Sequence, residues 1–154
     1  MSFLRRSLLP SRDWRLRVLV VYVFIFQDYL MTGVFCRDIA DEANWLLRTF
    51  MLTFNSVQVG LLVFGLSFYG PVYAVLCLLT NHDWTGLRSQ SLFELLSERR
   101  RPLFDVAFGL GVASRHFEGG MSWVLPLSNR LWLALGFITY LTLVHVGTLK
   151  EKVG

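Results

Sequence analysis

Charge is what this chain has least of. Charged residues make up 17% of its 154 positions, against about 25% in an ordinary soluble domain. Lysine is almost missing, with Lys150 and Lys152 as its only examples. Cysteine is limited to Cys36 and Cys77, which stand far apart with no CxxC spacing. That excludes a thiol redox motif and reads as two packed thiols. No zinc-ligand spacing, phosphate-cradling glycine loop or nucleophile–base pair occurs, so nothing marks the chain as an enzyme in its own right. Internal repeats and low-complexity tracts are missing too, and without an inverted repeat a transporter is a weaker reading. The apolar runs are continuous and not alternating, which excludes a porin-like barrel.

Present in their place is a large apolar content. Hydrophobic residues account for 54%, including 13 Phe, 5 Trp and 5 Tyr, and mean hydropathy is +0.49. One soluble domain of this length would have to hide all of it in a single core, whereas a bilayer absorbs it. The expected class is therefore all-α: an integral membrane helical bundle of three or four transmembrane helices plus a short amphipathic helix, forming one domain over residues 1–154. The net charge of +4 comes almost wholly from 13 Arg. These lie between the apolar runs and not on one stripe, which suits anionic lipid headgroups, cardiolipin among them, better than nucleic acid.

Spanning about 30 Å of hydrocarbon takes about 20 helical residues. A basic tail, residues 1–17, holds five Arg and one acid, Asp13. It reads equally as an Arg-rich mitochondrial targeting segment and as a basic membrane flank. Four candidate spans follow, over 18–35, 49–80, 102–116 and 131–148. The first carries Gln27 and Asp28; a carboxylate there either turns inward or keeps the segment at the interface. The second has no charged residue, and its Asn55, Ser56 and Gln58 are polar but neutral. With no loop residues dividing it, one long helix kinked at Pro71 is expected. Residues 90–101 are amphipathic, with Leu92, Phe93, Leu95 and Leu96 on the apolar side. The third span is short; Pro102 suits its first turn, Gly109 and Gly111 offer close approach, and Gly119 and Gly120 are expected to end it.

With four spans, eleven Lys and Arg collect on one side and four on the other. The positive-inside rule then places both termini in the cytoplasm or matrix. Among the histidines, His82 and His116 sit at helix ends and His145 lies within the last span. A lone histidine in a bundle is ordinarily a packing or hydrogen-bonding residue. Asp28 with Tyr29 could form a polar pocket beside a quinone headgroup, or pair with a neighbouring helix. Buried polar or partner contacts are expected at Asp28, Tyr29, Asn55, Gln58 and His145. No catalytic residue and no metal ligand is expected.

The order of an apolar helix, then Ser114-Arg115-His116-Phe117-Glu118-Gly119-Gly120, a short connection with Pro126, and one final span resembles the cytochrome b-type membrane anchor of succinate dehydrogenase. In that family the middle helix ends in an Arg-His pair followed by an acid and Gly. Thr53, Ser56 and Gly60 loosely resemble positions of its first helix, and the likeness covers residues 49–149. The family's haem-ligand position falls at Gly109 here, and its first-helix His-Arg pair falls near Ser56 and Val57. The resemblance implies a quinone or haem propionate near Arg115, His116 and Ser56, with quinone or haem b as cofactor under that reading only. Its three-span layout places the Arg-His end opposite to the charge count.

Three functions follow as expectations. The first is a non-catalytic multi-pass subunit of a respiratory-chain or ATP-synthase complex, serving assembly, anchoring and contacts with lipid or other membrane subunits. Its membrane would be the mitochondrial inner membrane or a bacterial inner membrane. The second is a quinone-linked anchor of the complex II kind. The third is a small transporter or channel lined by Asp28, Asp105 and Arg115.

Overall fold

A computed structural model describes residues 9, 10, 12–81, 100–125 and 127–153. All of the regular structure among them is helical. Helix α1 is Arg12–Phe35, followed by an irregular segment with one 3-10 turn, Ile39–Asp41. Then come α2, Trp45–Phe54, and α3, Val57–Asn81. A run of helix over 100–122 has three parts: α4, Arg100–Phe104; a π-helical segment, Asp105–Ala113; and α5, Ser114–Ser122. The last helix, α6, is Asn129–Val153. The amphipathic stretch 90–101 falls almost wholly outside the described residues, as does His82.

Three stretches are long and apolar enough to cross a membrane by length and composition: Trp14–Phe35, Val57–Leu78 and Asn129–Leu149. Their apolarity runs all the way round, a pattern compatible with a membrane bundle. In α1, Val18, Val21, Phe24 and Ile25 are buried, while Leu19, Val23, Phe26, Leu30 and Val34 are exposed. The segment 18–35 is thus one of the three long apolar helices, despite Asp28.

Side-chain contacts give the helix directions. Tyr22 donates to the Tyr69 carbonyl, Tyr29 lies against Gly65, and Leu61 lies against Gly33, so α1 and α3 are antiparallel. Arg17 meets Asp105 and Asp28 meets His116, so the 100–122 run is parallel to α1. Phe117 packs on Gly136 and Tyr140 on Gly109, so α6 runs back again. The main core gathers Val18, Val21, Phe24 and Ile25 with Leu76, Phe104, Ala113, Tyr140 and Val144. Cys36 and Cys77 are both free and buried, as two packed thiols should be.

Two expectations need correction. The run 49–80 is not one helix, because α2 ends at Asn55, which adopts the left-handed conformation with φ 48°. Asparagine tolerates that conformation better than most residues. Its N–H bonds back to Leu52 and Met51 carbonyls, and the Ser56 hydroxyl accepts from Val59 N–H at the start of α3. The polar pair Asn55-Ser56 is therefore a turn. Pro71, expected to kink the run, lies inside α3, whose helix continues through it to Asn81. The second correction concerns Gly119 and Gly120, which do not end the helix; α5 passes through both to Ser122.

Helix α2 folds back along α3. Met51 lies against Gly60, and Phe50 packs on Phe64 and Phe68. The N-terminal end of α2 therefore sits level with Phe64 to Phe68, well inside α3. Irregular residues 36–44 leave the end of α1 and fold back toward the bundle interior to reach it.

Candidate functional site

Where the segment returns, residues 41–44 form one wall of an open-mouthed cavity of about 520 Å³ between α1, α2, α3 and α5. The wall mixes aromatic and titratable side chains. Asp28 and Tyr29 come from α1, Glu42 from the irregular segment, Tyr69 from α3, and Arg115 and His116 from α5.

His116 is held at both ring nitrogens. Its Nδ1 is 2.7 Å from Asp28 Oδ2, and its Nε2 is 2.7 Å from the Tyr69 hydroxyl. With Asp28 ionised, Nδ1–H donates to it, and Nε2 accepts from Tyr69. The result is a continuous Tyr69–His116–Asp28 chain through three helices. Its imidazole and carboxylate are only 16% and 20% exposed. Pairing across helices is how ionisable groups with so little exposure are accommodated.

Both glycines that follow in α5 lie against the Gln27–Asp28 stretch of α1. A Cβ on Gly119 would lie 2.8 Å from Asp28 Oδ1, and one on Gly120 would lie 3.1 Å from Asp28 Cα. Their missing side chains let α5 approach α1 closely enough for the His116–Asp28 bond.

Two further wall residues have unusual settings. The Tyr29 hydroxyl is buried without a protein hydrogen-bond partner, and such a group is expensive unless something else meets it. Glu42 is 6% exposed. Its Oε1 accepts from Asn44 N–H at 2.7 Å, and burial pushes its carboxyl above the ordinary carboxylate range, outweighing that hydrogen bond. Asn44 in turn caps α2, accepting from Leu46 and Leu47 N–H.

A second polar cluster lies three helical turns along α1. Arg17 Nε donates to Asp105 Oδ1 at 3.0 Å, and the Tyr140 hydroxyl donates to the same oxygen at 2.7 Å. It joins α1, the start of the π-helical segment and α6. That segment ends where Ser114 Oγ donates to the Gly109 carbonyl, five residues back.

The expected site residues divide as follows. Asp28, Tyr29, Arg115 and His116 do meet at one cavity. Arg115 is largely open to solvent and pairs with Glu118 at 2.9 Å. Ser56 is not with them; it belongs to the turn before α3 and hydrogen-bonds Gln58 and Val59. Asn55, Gln58 and His145 are exposed on this chain, so they are not buried polar residues, and only their role as partner contacts is left. For Asn55 the reason is its turn geometry; Gln58 and His145 lie on outward faces of their helices. Asp105 pairs with Arg17 and Tyr140 and does not join Asp28 and Arg115 in one path.

Haem b does not fit the described histidines. Both His116 nitrogens are engaged, and His145 faces outward. The Tyr140 ring occupies the space beside Gly109, within 2.5 Å of where a Cβ would stand.

Tyr69 and Glu42 were not singled out by the sequence. Tyr69 sits in an apolar run where a tyrosine looks like packing, and Glu42 stands in an acidic stretch that reads as a solvated loop. The one available signal was a phenol hydroxyl inside a span, which needs a partner.

Comparison of the chain with family models, with curated proteins and with solved structures gives no match.

Proposed function

We propose that this chain is a membrane-embedded subunit of a larger respiratory-chain assembly and that its cavity receives a quinone headgroup. The observation that carries this reading is the Tyr69–His116–Asp28 chain, set in an aromatic cavity beside the unpartnered Tyr29 hydroxyl. A quinone headgroup is a flat ring with a carbonyl acceptor at each end. Stacking against Tyr29 or Phe64 and accepting a hydrogen bond from the Tyr29 hydroxyl would satisfy both the ring and the orphan donor. The volume falls within the range of about 300–1,000 Å³ usual for small-molecule sites.

Reduction of a quinone to a quinol takes two electrons and two protons, one for each carbonyl oxygen. His116 is placed to supply a proton through Tyr69, with Asp28 stabilising the imidazolium that delivers it. The electrons come from a partner subunit, so the chain acts inside a complex and not as an enzyme by itself. The apolar outer faces of α1, α3 and α6 suit lipid and neighbouring membrane subunits, and the Arg-rich flanks suit anionic phospholipid. An energy-transducing membrane, the mitochondrial or a bacterial inner membrane, is the setting this chemistry requires.

The test is a titration of the full chain in nanodiscs with a short-chain quinone analogue, read by quenching of tryptophan fluorescence, since Trp123 lines the cavity. Saturable quenching that weakens in His116→Ala supports the reading; no saturable binding in the unaltered chain overturns it. Mild extraction from native membranes should also bring down partner chains.

A further inference from the structure

We infer that Glu42 is the proton-exchange group of this cavity, carried on a re-entrant segment that links the part-buried Asp28–His116 pair to the aqueous face. This deepens the preceding reading and rests on it only for why the cavity consumes protons.

Phe35 ends α1 level with Val57, since Gly33 lies against Leu61 and Tyr29 against Gly65. From there the chain folds back, and Asn44 reaches the same cavity as Phe64 and Tyr69. Residues 42–44 are neither helix nor strand. Irregular backbone at membrane depth is tolerated only where protein buries it or a water-filled cavity solvates it. Here residues 41–44 line the cavity, and Glu42 is the member of that stretch whose side chain is buried.

From α1, Asp28 and Tyr29 face the cavity; from α2, Arg48 exerts a weaker opposite pull; from α3 comes Tyr69; from α5, Arg115 and His116; and Asp41 lies beside it. Burial and Asp28 both favour the protonated carboxyl, and the Asn44 N–H and Arg48 favour the carboxylate. A carboxyl balanced in this way exchanges its proton, where one locked in an ion pair does not.

The transfer balances simply. A hydronium ion at the cavity mouth gives its proton to the Glu42 carboxylate and leaves as water. The Glu42 acid then passes the proton to cavity water, and this water protonates the Asp28–His116 pair. A space of about 520 Å³ has room for several waters, with Asp28, Glu42, Tyr69 and His116 as polar partners. Each quinone carbonyl reduced draws one such proton.

The experiment uses the full chain in nanodiscs and no quinone. Infrared spectroscopy reads the carbonyl stretch of protonated carboxyl groups, and NMR with labelled histidine reads solvent exchange at the His116 ring. Glu42→Gln is close to isosteric and keeps an acceptor for Asn44 N–H, so the turn is preserved. The expected results are a protonated-carboxyl band that persists above the ordinary carboxylate range and disappears in Glu42→Gln, together with His116 exchange slowed about tenfold or more. Glu42→Asp should restore part of the exchange. A band that survives Glu42→Gln, or exchange that is unaffected by it, overturns the inference. Because neither signal involves a quinone, failure of the unaltered chain to bind one sinks the earlier reading alone.

Discussion

Asp28 and His116 lie 88 residues apart in sequence and 2.7 Å apart in space. Arg17 and Asp105 are separated by the same 88 residues and also meet. The two pairs fix α1 and the 100–122 run in parallel register at both ends. Between them the run is π-helical from Asp105 to Ala113, a geometry often found at functional sites. One pair faces the cavity and has proton chemistry available; the other is closed by Tyr140.

Replacing Asp28 with Asn tests the cavity pair without changing its size. The amide can turn its NH2 toward Nδ1, and the imidazole then presents Nε2–H toward Tyr69 and reverses the chain. Binding of a quinone analogue should weaken about tenfold, equivalent to about 1.4 kcal/mol. Fluorescence titration of Asp28→Asn beside the unaltered chain checks it, and equal affinities would remove Asp28 from the site.

Gly119→Ala should disturb the same bond from the other side. The new methyl would stand 2.8 Å from Asp28 Oδ1, and overpacking of this kind costs about 1–3 kcal/mol. Gly70→Ala, with nothing within 4 Å of the added carbon, is the control and should cost little. Thermal unfolding of both variants in one detergent gives the comparison.

The helical bundle was legible in the sequence because long uncharged runs such as 57–78 leave a chain few alternatives. The site was legible only in part. Asp28 stood out because a carboxylate inside a span demands a partner, and Arg115-His116 stood out by its neighbours, but nothing local pairs positions 88 residues apart. The turn at Asn55 was not legible because Asn55 and Ser56 read equally as neutral polarity tolerated within a helix, although asparagine also stops helices by adopting positive φ. Gly119 and Gly120 were missed for the reverse reason: glycine serves a close approach as readily as a break, and only the neighbouring helix decides which.

Asn55 offers a direct check of that turn. A β-branched residue is strained in the left-handed region by about 1–2 kcal/mol, and glycine is not. Asn55→Val should therefore lower stability by that amount, while Asn55→Gly should stay close to the parent. If both variants melt alike, the turn does not require positive φ.

The Arg17–Asp105 pair is buried enough for its loss to matter, with side chains 11% and 16% exposed. Arg17→Met keeps the length of the side chain but strands the Asp105 carboxylate, with only the Tyr140 hydroxyl left to donate to it. Breaking one side of such a pair costs about 3–5 kcal/mol. The double variant Arg17→Met with Asp105→Leu should recover much of this, because no charge is then left buried. Denaturation of the two variants decides; a double variant no better than the single would show that the pair does more than neutralise charge.

Glu42 sets a pH dependence whose sign follows from its burial. Its carboxyl is raised above the ordinary value of 4.5, so the folded chain holds this proton more tightly than the unfolded chain does. The resulting stabilisation is complete below the unfolded value and is lost as pH rises through the raised folded value. Above that window the folded state carries a buried anion and is weaker for it. Glu42→Gln has no proton to lose there. Unfolding temperature measured across pH 4 to 8 should decline less in Glu42→Gln than in the parent, with the two curves separating upward from about pH 4.5. Parallel curves would mean that Glu42 meets water as freely folded as unfolded, and the cavity wall drawn by residues 41–44 would then be wrong.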